Sequence, residues 1–290
     1  MSSSSNFSST TSKGIAAIVG VGPKLGRSIA RKFAHEGYTV AILSRDLGKP
    51  KTNPYYAVSS HYLYILYFDT GRLSRIAEEI AREEKAQVFA IRIDCSDTRS
   101  IKEAFEGVLS LGFVEVLVYN AAYQPLPMHP TNFTEIPVNI FEKSLAVSSV
   151  GAFHCAQLVL PGMVERGRGT ILFTGCSASL SGMSGFSELC CGKFALRGLS
   201  QCLAREFQSL GIHVAHVIID GLVAAPRVPS IVQRTAAGEQ QSGVGGGGGG
   251  GDGLMDPDSL AQTYWHLHLQ DCSAWTQEID LRPSTPFRFF

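Results

Sequence analysis
The apolar run GIAAIVGV (14–21) passes through closely spaced glycines into KLGRSIARKFAHEG. In the second stretch Leu25, Ile29, Ala30 and Phe33 recur at helical spacing until Gly37 stops the pattern. A run with no polar alternation reads as a strand covered on both faces. The turn between them, VGVGPKLGRSIA (19–30), holds Gly20, Gly22 and Gly26. Glycines so placed allow a tight turn, a close approach of backbone to a pyrophosphate, and close packing of helix on strand. A plain strand-to-helix turn seldom needs three of them at this spacing. The segment therefore reads as a dinucleotide cradle, with Gly20, Gly22, Lys24, Leu25 and Gly26 as its residues.

The alternation continues along the chain. YTVAIL is a second strand, RLSRIAEEIAREEKA a helix, QVFAIRI a strand, TRSIKEAFEGVLSL a helix and VEVLVY a strand. A long helix runs through FEKSLAVSSVGAFHCAQLVLPGMVERG. GTILFTG is a strand, SELCCGKFALRGLSQCLAREF a helix and IHVAHVII (212–219) a strand. Strands alternating with helices predict an α/β fold: one Rossmann-type, doubly wound domain over 14–290, with about seven mostly parallel strands. Its ligand is expected at the carboxyl ends of the strands, where strand order reverses.

Three segments stand outside this rhythm. Residues 1–13, MSSSSNFSSTTSK, read as a disordered tail; they lack the apolar core of a secretory signal and the arginines of a transit peptide. Residues 49–71 hold five of the nine tyrosines and a single acidic residue, between flanks rich in Arg and Glu. Without them SRDLG joins RLSRIAEEIARE as a clean strand–turn–helix connection. The segment reads as foreign to the fold, either a retained intron or a surface excursion. GEQQSGVGGGGGGGDG (238–253) reads as a flexible loop.

Charge and cysteine usage narrow the class of partner. Lys plus Arg number 25 and Asp plus Glu 25, so no basic excess invites nucleic acid. The seven cysteines are odd in number, scattered, and form no C-x-x-C pair, which fits a reducing, cytoplasmic setting and no metal site. The apolar run HYLYILYF (61–68) is too short to span a bilayer, so no membrane is expected. His154, His213 and His216 fall on apolar stretches and read as packed side chains; His266 and His268 have no third ligand nearby.

Ser44 and Arg45 follow the second strand. An acidic residue there accepts hydrogen bonds from ribose hydroxyls; Arg45 instead offers a charge-assisted fork to a 2′-phosphate. NADP(H) is therefore expected over NAD(H), against the plainer reading of a solvated arginine beside Asp46.

The glycine loop, DCSD (94–97), YNAA (119–122), GTILFTGCSAS (169–179) and GKFALRGLSQCLAREFQSLGIHVAHVIIDG (192–221) together resemble the short-chain dehydrogenase/reductase family. The carboxyl-terminal DPDSLAQTYWHLHLQDCSAWTQEIDLRP (256–283) is similar to a divergent subgroup of it. The resemblance covers roughly 14–282, interrupted at 49–71 and around 238–253. It implies that Gly20, Gly22 and Gly26 line the pyrophosphate, Asp94 touches the adenine, and Asn120 holds a strand end behind the cofactor. It also implies that Val223 approaches the nicotinamide amide through its backbone, that 224–255 is a lid, and that the protein is a homodimer or homotetramer packed through helices 139–166 and 186–209.

The departures from the family pattern concern the chemistry. Lys24 stands at the second glycine of the usual T-G-x-x-x-G-x-G, and N-N-A-G is replaced by Tyr119–Ala122. The four catalytic positions, Asn, Ser, Tyr and Lys, fall on Ser148, Cys176, Leu189 and Lys193. Leucine cannot donate the proton that carbonyl reduction requires. Lys193 can still hold a nicotinamide ribose. Cys190, three residues earlier and close to the same face, reads first as a small buried hydrophobe and second as a substitute acid. Ser177 polarises a carbonyl if the register shifts by one, or caps a turn; Tyr123 is a candidate wall of the cleft. Two functions follow. One is an NADP(H)-dependent oxidoreductase acting on a small carbonyl or alcohol with an altered proton route. The other is a dinucleotide-binding pseudoenzyme acting as sensor or interaction subunit.

Overall fold
A computed structural model describes residues 13–45, 72–123, 130–224 and 254–285. Residues 1–12, 49–71 and 238–253, with the expectations attached to them, lie outside these residues, as does most of the expected lid. The sheet has seven strands: β1 (Ile15–Val19), β2 (Thr39–Ser44), β3 (Val88–Arg92), β4 (Val114–Tyr119), β5 (Gly169–Cys176), β6 (Ile212–Ile219) and β9 (Glu278–Leu281). Their order is β3-β2-β1-β4-β5-β6-β9, and every pairing is parallel. The helices are α1 (Leu25–His35), α2 (Arg72–Glu84), α3 (Thr98–Ser110), α4 (Val138–Leu145), α5 (Gly151–Arg166), α6 (Ser187–Phe207) and α7 (Pro257–His268). A short parallel pair, β7 (Leu222–Val223) and β8 (Leu254–Met255), lies beyond the end of β6.

The unalternating sequence of the central strands has the expected consequence. Ile15, Ala17 and Val19 face one apolar layer with α3, α5 and α6, while Ala16 and Ile18 face the other with α1, α2 and α7. β3 is the exception. It is an edge strand, none of its residues is fully buried, and Phe89 is 38% exposed.

α4 and α5 form one continuous run from Val138 to Arg166, interrupted by a π turn at Ala146–Val150. Such turns often mark functional positions. Among the described residues this run is the one long and apolar enough to cross a bilayer, but half of its most apolar stretch is buried in the fold.

Strand order reverses between β1 and β4. The carboxyl ends of β1, β2, β4, β5 and β6 thus deliver Gly20, Ser44, Asn120, Cys176 and Asp220 to one edge of the sheet.

Candidate active site
A cleft of about 860 Å³ runs along that edge. Its floor passes from Gly20–Pro23 and Leu25, past Ser44, Arg45 and Asp94, to Asn120, then Thr174–Ser177, Leu189, Lys193 and Asp220–Val223. The size and placement suit an extended ligand at a topological switch point.

The glycine turn is shaped by sterics. Gly20 has φ +85°, and a Cβ there lies 2.6 Å from Ala121 Cα, inside the neighbouring strand end. A Cβ on Gly26 lies 2.8 Å from Val21 Cα, so only glycine lets α1 pack onto its own entry loop. At Gly22 the same position is open, which leaves room for a ligand against the backbone. Asn120 Nδ2 donates to Gly20 O at 2.9 Å, and Asn120 N donates to Val19 O at 2.8 Å. Asn120 thereby pins the turn to the end of β4. These residues fit a dinucleotide: the glycine turn opens α1, a buried helix start, beside an open cleft.

Lys24 does something the sequence did not indicate. It is absent from the cleft lining, and its Nζ donates to Val223 O at 2.8 Å, tying the glycine loop to β7 across 199 residues of chain. The Val223 carbonyl is thus engaged by a lysine that stands where the family pattern has glycine.

At the adenosine end, Ser44, Arg45 and Asp94 all line the cleft, and Arg45 is exposed. Asp94 Oδ1 accepts from Ser96 N at 2.9 Å and Ser96 Oγ at 2.7 Å. Burial pushes its carboxyl up, but the Ser96 bonds and the charges of Arg45 and Lys143 outweigh this and hold it below the usual range. Arg72, Leu73 and Ile76 from α2 complete this wall. They escape sequence reading because 26 residues lie between Arg45, just after β2, and Arg72, so only the fold brings the two arginines to one cleft.

At the other end, Lys193 is only 4% exposed, and its Nζ donates to Thr174 O at 2.8 Å. Burial lowers its pKa, and the neighbouring Cys176 side chain opposes that shift. Leu189 and Cys176 line the cleft with Ser177, Met183 and Phe186. Cys190 does not. It is buried with Ala178 and Phe186, its Sγ accepts from Met183 N at 3.3 Å, and burial pushes its thiol up. The i, i+3 spacing brings it near Lys193 along the helix, but the turn at 181–186 closes over it. Ser148, on the π turn, is fully buried and its Oγ has no hydrogen-bond partner among the described residues. A Cβ on Gly192 lies 3.1 Å from that Oγ, so glycine makes the space it occupies.

Asp220 is a cleft residue that the sequence reading passed over, although its place just after β6 matches those of Asn120 after β4 and Cys176 at the end of β5. It pairs with Arg282 Nη1 at 3.2 Å. Tyr123 packs against the core instead of lining the cleft, with Lys143 Nζ 5.9 Å from its ring centre. His213 and His216 are buried as expected, His216 against Glu278 at 3.1 Å. No cluster of three metal-ligating side chains occurs among the described residues.

The family profile for short chain dehydrogenase matches residues 57–234. The chain belongs to the short-chain dehydrogenase/reductase family. It is 28% identical to a 3-dehydrosphinganine reductase of Danio rerio over 202 residues, 68% of this chain and 53% of that protein. It is 32% identical over 151 residues to a protein of Xanthobacter autotrophicus named inactive 2-(S)-hydroxypropyl-CoM dehydrogenase 2, covering 51% of this chain and 63% of that one. The chain thus spans between about half and two thirds of the length of these relatives. An alcohol dehydrogenase from Thermococcus sibiricus, solved with 5-hydroxy-NADP, shares the fold with a TM-score of 0.70 and 20% identity, covering 96% of this chain and 100% of that one.

Proposed function
We propose that this short-chain dehydrogenase/reductase is an NADP(H)-dependent oxidoreductase acting on a carbonyl or alcohol with an apolar flank. The observation that carries the reading is the continuity of one cleft from the glycine turn to the buried Lys193. In this reading Gly20, Gly22 and Gly26 shape the pyrophosphate seat, and Asp94 and Ser44 face the adenosine. Arg45 forks onto a 2′-phosphate, and Lys193 holds the nicotinamide ribose. Lys24 has a phosphate within reach of its loop once it releases Val223 O. The relative solved with 5-hydroxy-NADP supports a nicotinamide dinucleotide here.

When bound, the reduced nicotinamide supplies a hydride. The chain's own residues do the rest. Lys193, fixed on Thr174 O, presents its remaining N–H groups to the ribose. Leu189, Met183 and Phe186 supply an apolar wall that excludes water, and Ser177 offers a hydroxyl to a substrate oxygen. A second reading, a dinucleotide-binding sensor or interaction subunit, rests on Leu189 at the tyrosine position. We place the protein in the cytoplasm on its seven unpaired cysteines. We also propose a homodimer or homotetramer, because Val150, Phe153 and Phe194 leave apolar surface exposed on the long helices. A fluorescence titration with NADPH, followed by turnover assays over aldehydes, ketones and quinones, tests the proposal. Saturable binding with NADPH oxidation supports it, binding alone supports the sensor reading, and neither result supports any dinucleotide function.

A further inference from the structure
If the chain reduces a carbonyl, as the preceding reading holds, the proton must come from a group at the Lys193 end of the cleft. Among the described residues lining that end, the groups that carry a charge or readily lose a proton are Cys176, Lys193 and Asp220. Asp220 is paired with the Arg282 guanidinium, 3.2 Å away, a partner that suits a carboxylate and not a proton donor. Lys193 is buried and already committed to Thr174 O. Cys190 faces away into its own apolar cluster. That leaves Cys176.

The strand places it well. Cys176 is the last residue of β5, half-buried, and on the cleft wall. Lys193 is anchored to the carbonyl of Thr174, two residues earlier on the same strand, so the ammonium and the thiol are held by one rigid element. The Cys176 backbone N–H donates to Ser179 Oγ at 3.3 Å, which fixes the turn that carries the thiol.

We propose that Cys176 is the catalytic proton donor of this site, in place of the phenol absent at Leu189. The carbonyl carbon gains a hydride, and with it two electrons, from the reduced nicotinamide, which is oxidised. The carbonyl oxygen gains the Cys176 proton as the S–H bond breaks and an O–H bond forms. The resulting thiolate, on the same cleft wall as the Lys193 ammonium, recovers its proton from water, so the thiol is regenerated in each turnover. Alcohol oxidation runs the same steps backwards, with the thiolate as base.

The test uses the full chain with NADPH, and 4-nitrobenzaldehyde and 9,10-phenanthrenequinone as probes. Cys176→Ala is expected to lower kcat for the aldehyde by at least about a hundredfold, the lower end of general-acid effects. NADPH affinity is expected to stay within about twofold, a split that separates proton donation from cofactor binding. Cys176→Ser, which replaces the thiol with a weaker hydroxyl donor at the same position, is expected to fall between wild type and Cys176→Ala. A second measurement guards against a variant that fails to fold. In a background carrying serine at the exposed Cys191, Cys202 and Cys272, iodoacetamide is expected to alkylate Cys176 first. Turnover should then be lost in proportion to labelling, and NADPH should slow both. A Cys176→Ala protein within about threefold of wild type on the aldehyde overturns the proposal while leaving the oxidoreductase reading intact. So does a protein fully alkylated at Cys176 that still turns over. NADPH binding with no turnover of either probe overturns the proposal and the oxidoreductase reading together, and absence of NADPH binding removes the cofactor reading itself.

Discussion
The two ends of the cleft are built differently. At the glycine-turn end Asn120 holds Gly20, Ser96 holds Asp94, and the turn is sterically determined by Gly20 and Gly26, while Arg27 Nε on α1 has no hydrogen bond among the described residues. At the Lys193 end the family's tyrosine, serine and asparagine positions carry Leu189, Cys176 and Ser148, and buried polar atoms go without partners. Ser148 Oγ, Glu188 Oε2 and His216 Nε2 all lie on or beside α6 and have no hydrogen bond among the described residues. Leaving buried polar groups unsatisfied costs stability, so such groups cluster where function outweighs that cost. In the proposed reading the glycine-turn end binds and the Lys193 end reacts; the first departs from the family pattern at Lys24 and Tyr119–Ala122 and keeps its glycine turn, the second departs at Leu189, Cys176 and Ser148.

The largest expected effect attacks the binding end. Gly20→Val forces a branched side chain into φ +85° and against Asn120 and Ala121. Strain of this kind costs on the order of 1–3 kcal/mol before the clash is added. NADPH binding should vanish in the titration, and Tm should drop by roughly 5 °C or more in a thermal melt. A variant that still binds NADPH normally breaks the comparison.

The next effect belongs to neither end and serves as a control. His268 is half-buried between Tyr38 OH (2.7 Å) and Thr170 Oγ1 (2.9 Å), and loss of solvent lowers its pKa to about 4, against the opposing charge of Glu115. Above the ordinary histidine range both folded and unfolded chains leave it neutral. As pH falls from about 6.5 toward 4, the unfolded chain takes up a proton that the folded chain refuses, so stability is lost across that window. His213 and His216, whose pKa values burial also lowers, act in the same direction. The loss from His268 is at most about 3 kcal/mol. His268→Gln should flatten the acid limb of a denaturant-melt series, leaving NADPH affinity at neutral pH unchanged.

Lys193→Met sharpens the contrast. It removes the proposed ribose contact and also a desolvated ammonium. NADPH affinity should weaken by roughly tenfold, the scale of a hydrogen bond to a charged group, while Tm holds or rises. Arg45→Asp is expected to have a smaller effect, moving the preference from NADPH toward NADH by removing the fork and supplying a ribose acceptor; paired titrations check it. Leu189→Tyr should do least, changing turnover within about threefold, because Cys176 and Ser148 depart from the family pattern as well and such groups act as a unit.

Much of the fold was legible because its signals are local. The unalternating strands, the glycine turn and the helical spacing of Leu25, Ile29 and Phe33 depend on neighbours in sequence. What escaped depends on chain segments far apart. The Lys24–Val223 tie joins positions 199 residues distant, and the His216–Glu278 pair 62. Cys190 shows the limit within one helix: spacing along α6 put it near Lys193, but the 181–186 turn that walls it off follows no periodic rule. Asp220 was readable in principle from its place just after a sheet strand, beside others already singled out.

The central claim is that the binding end is intact although the reacting end is altered. Its most direct test is a fluorescence titration of the wild-type chain with NADPH, run beside Gly20→Val and Leu189→Tyr. The account expects saturable one-to-one binding by wild type, the same affinity in Leu189→Tyr, and none in Gly20→Val. Absence of saturation by wild type at millimolar NADPH, or equal binding by Gly20→Val, would contradict it.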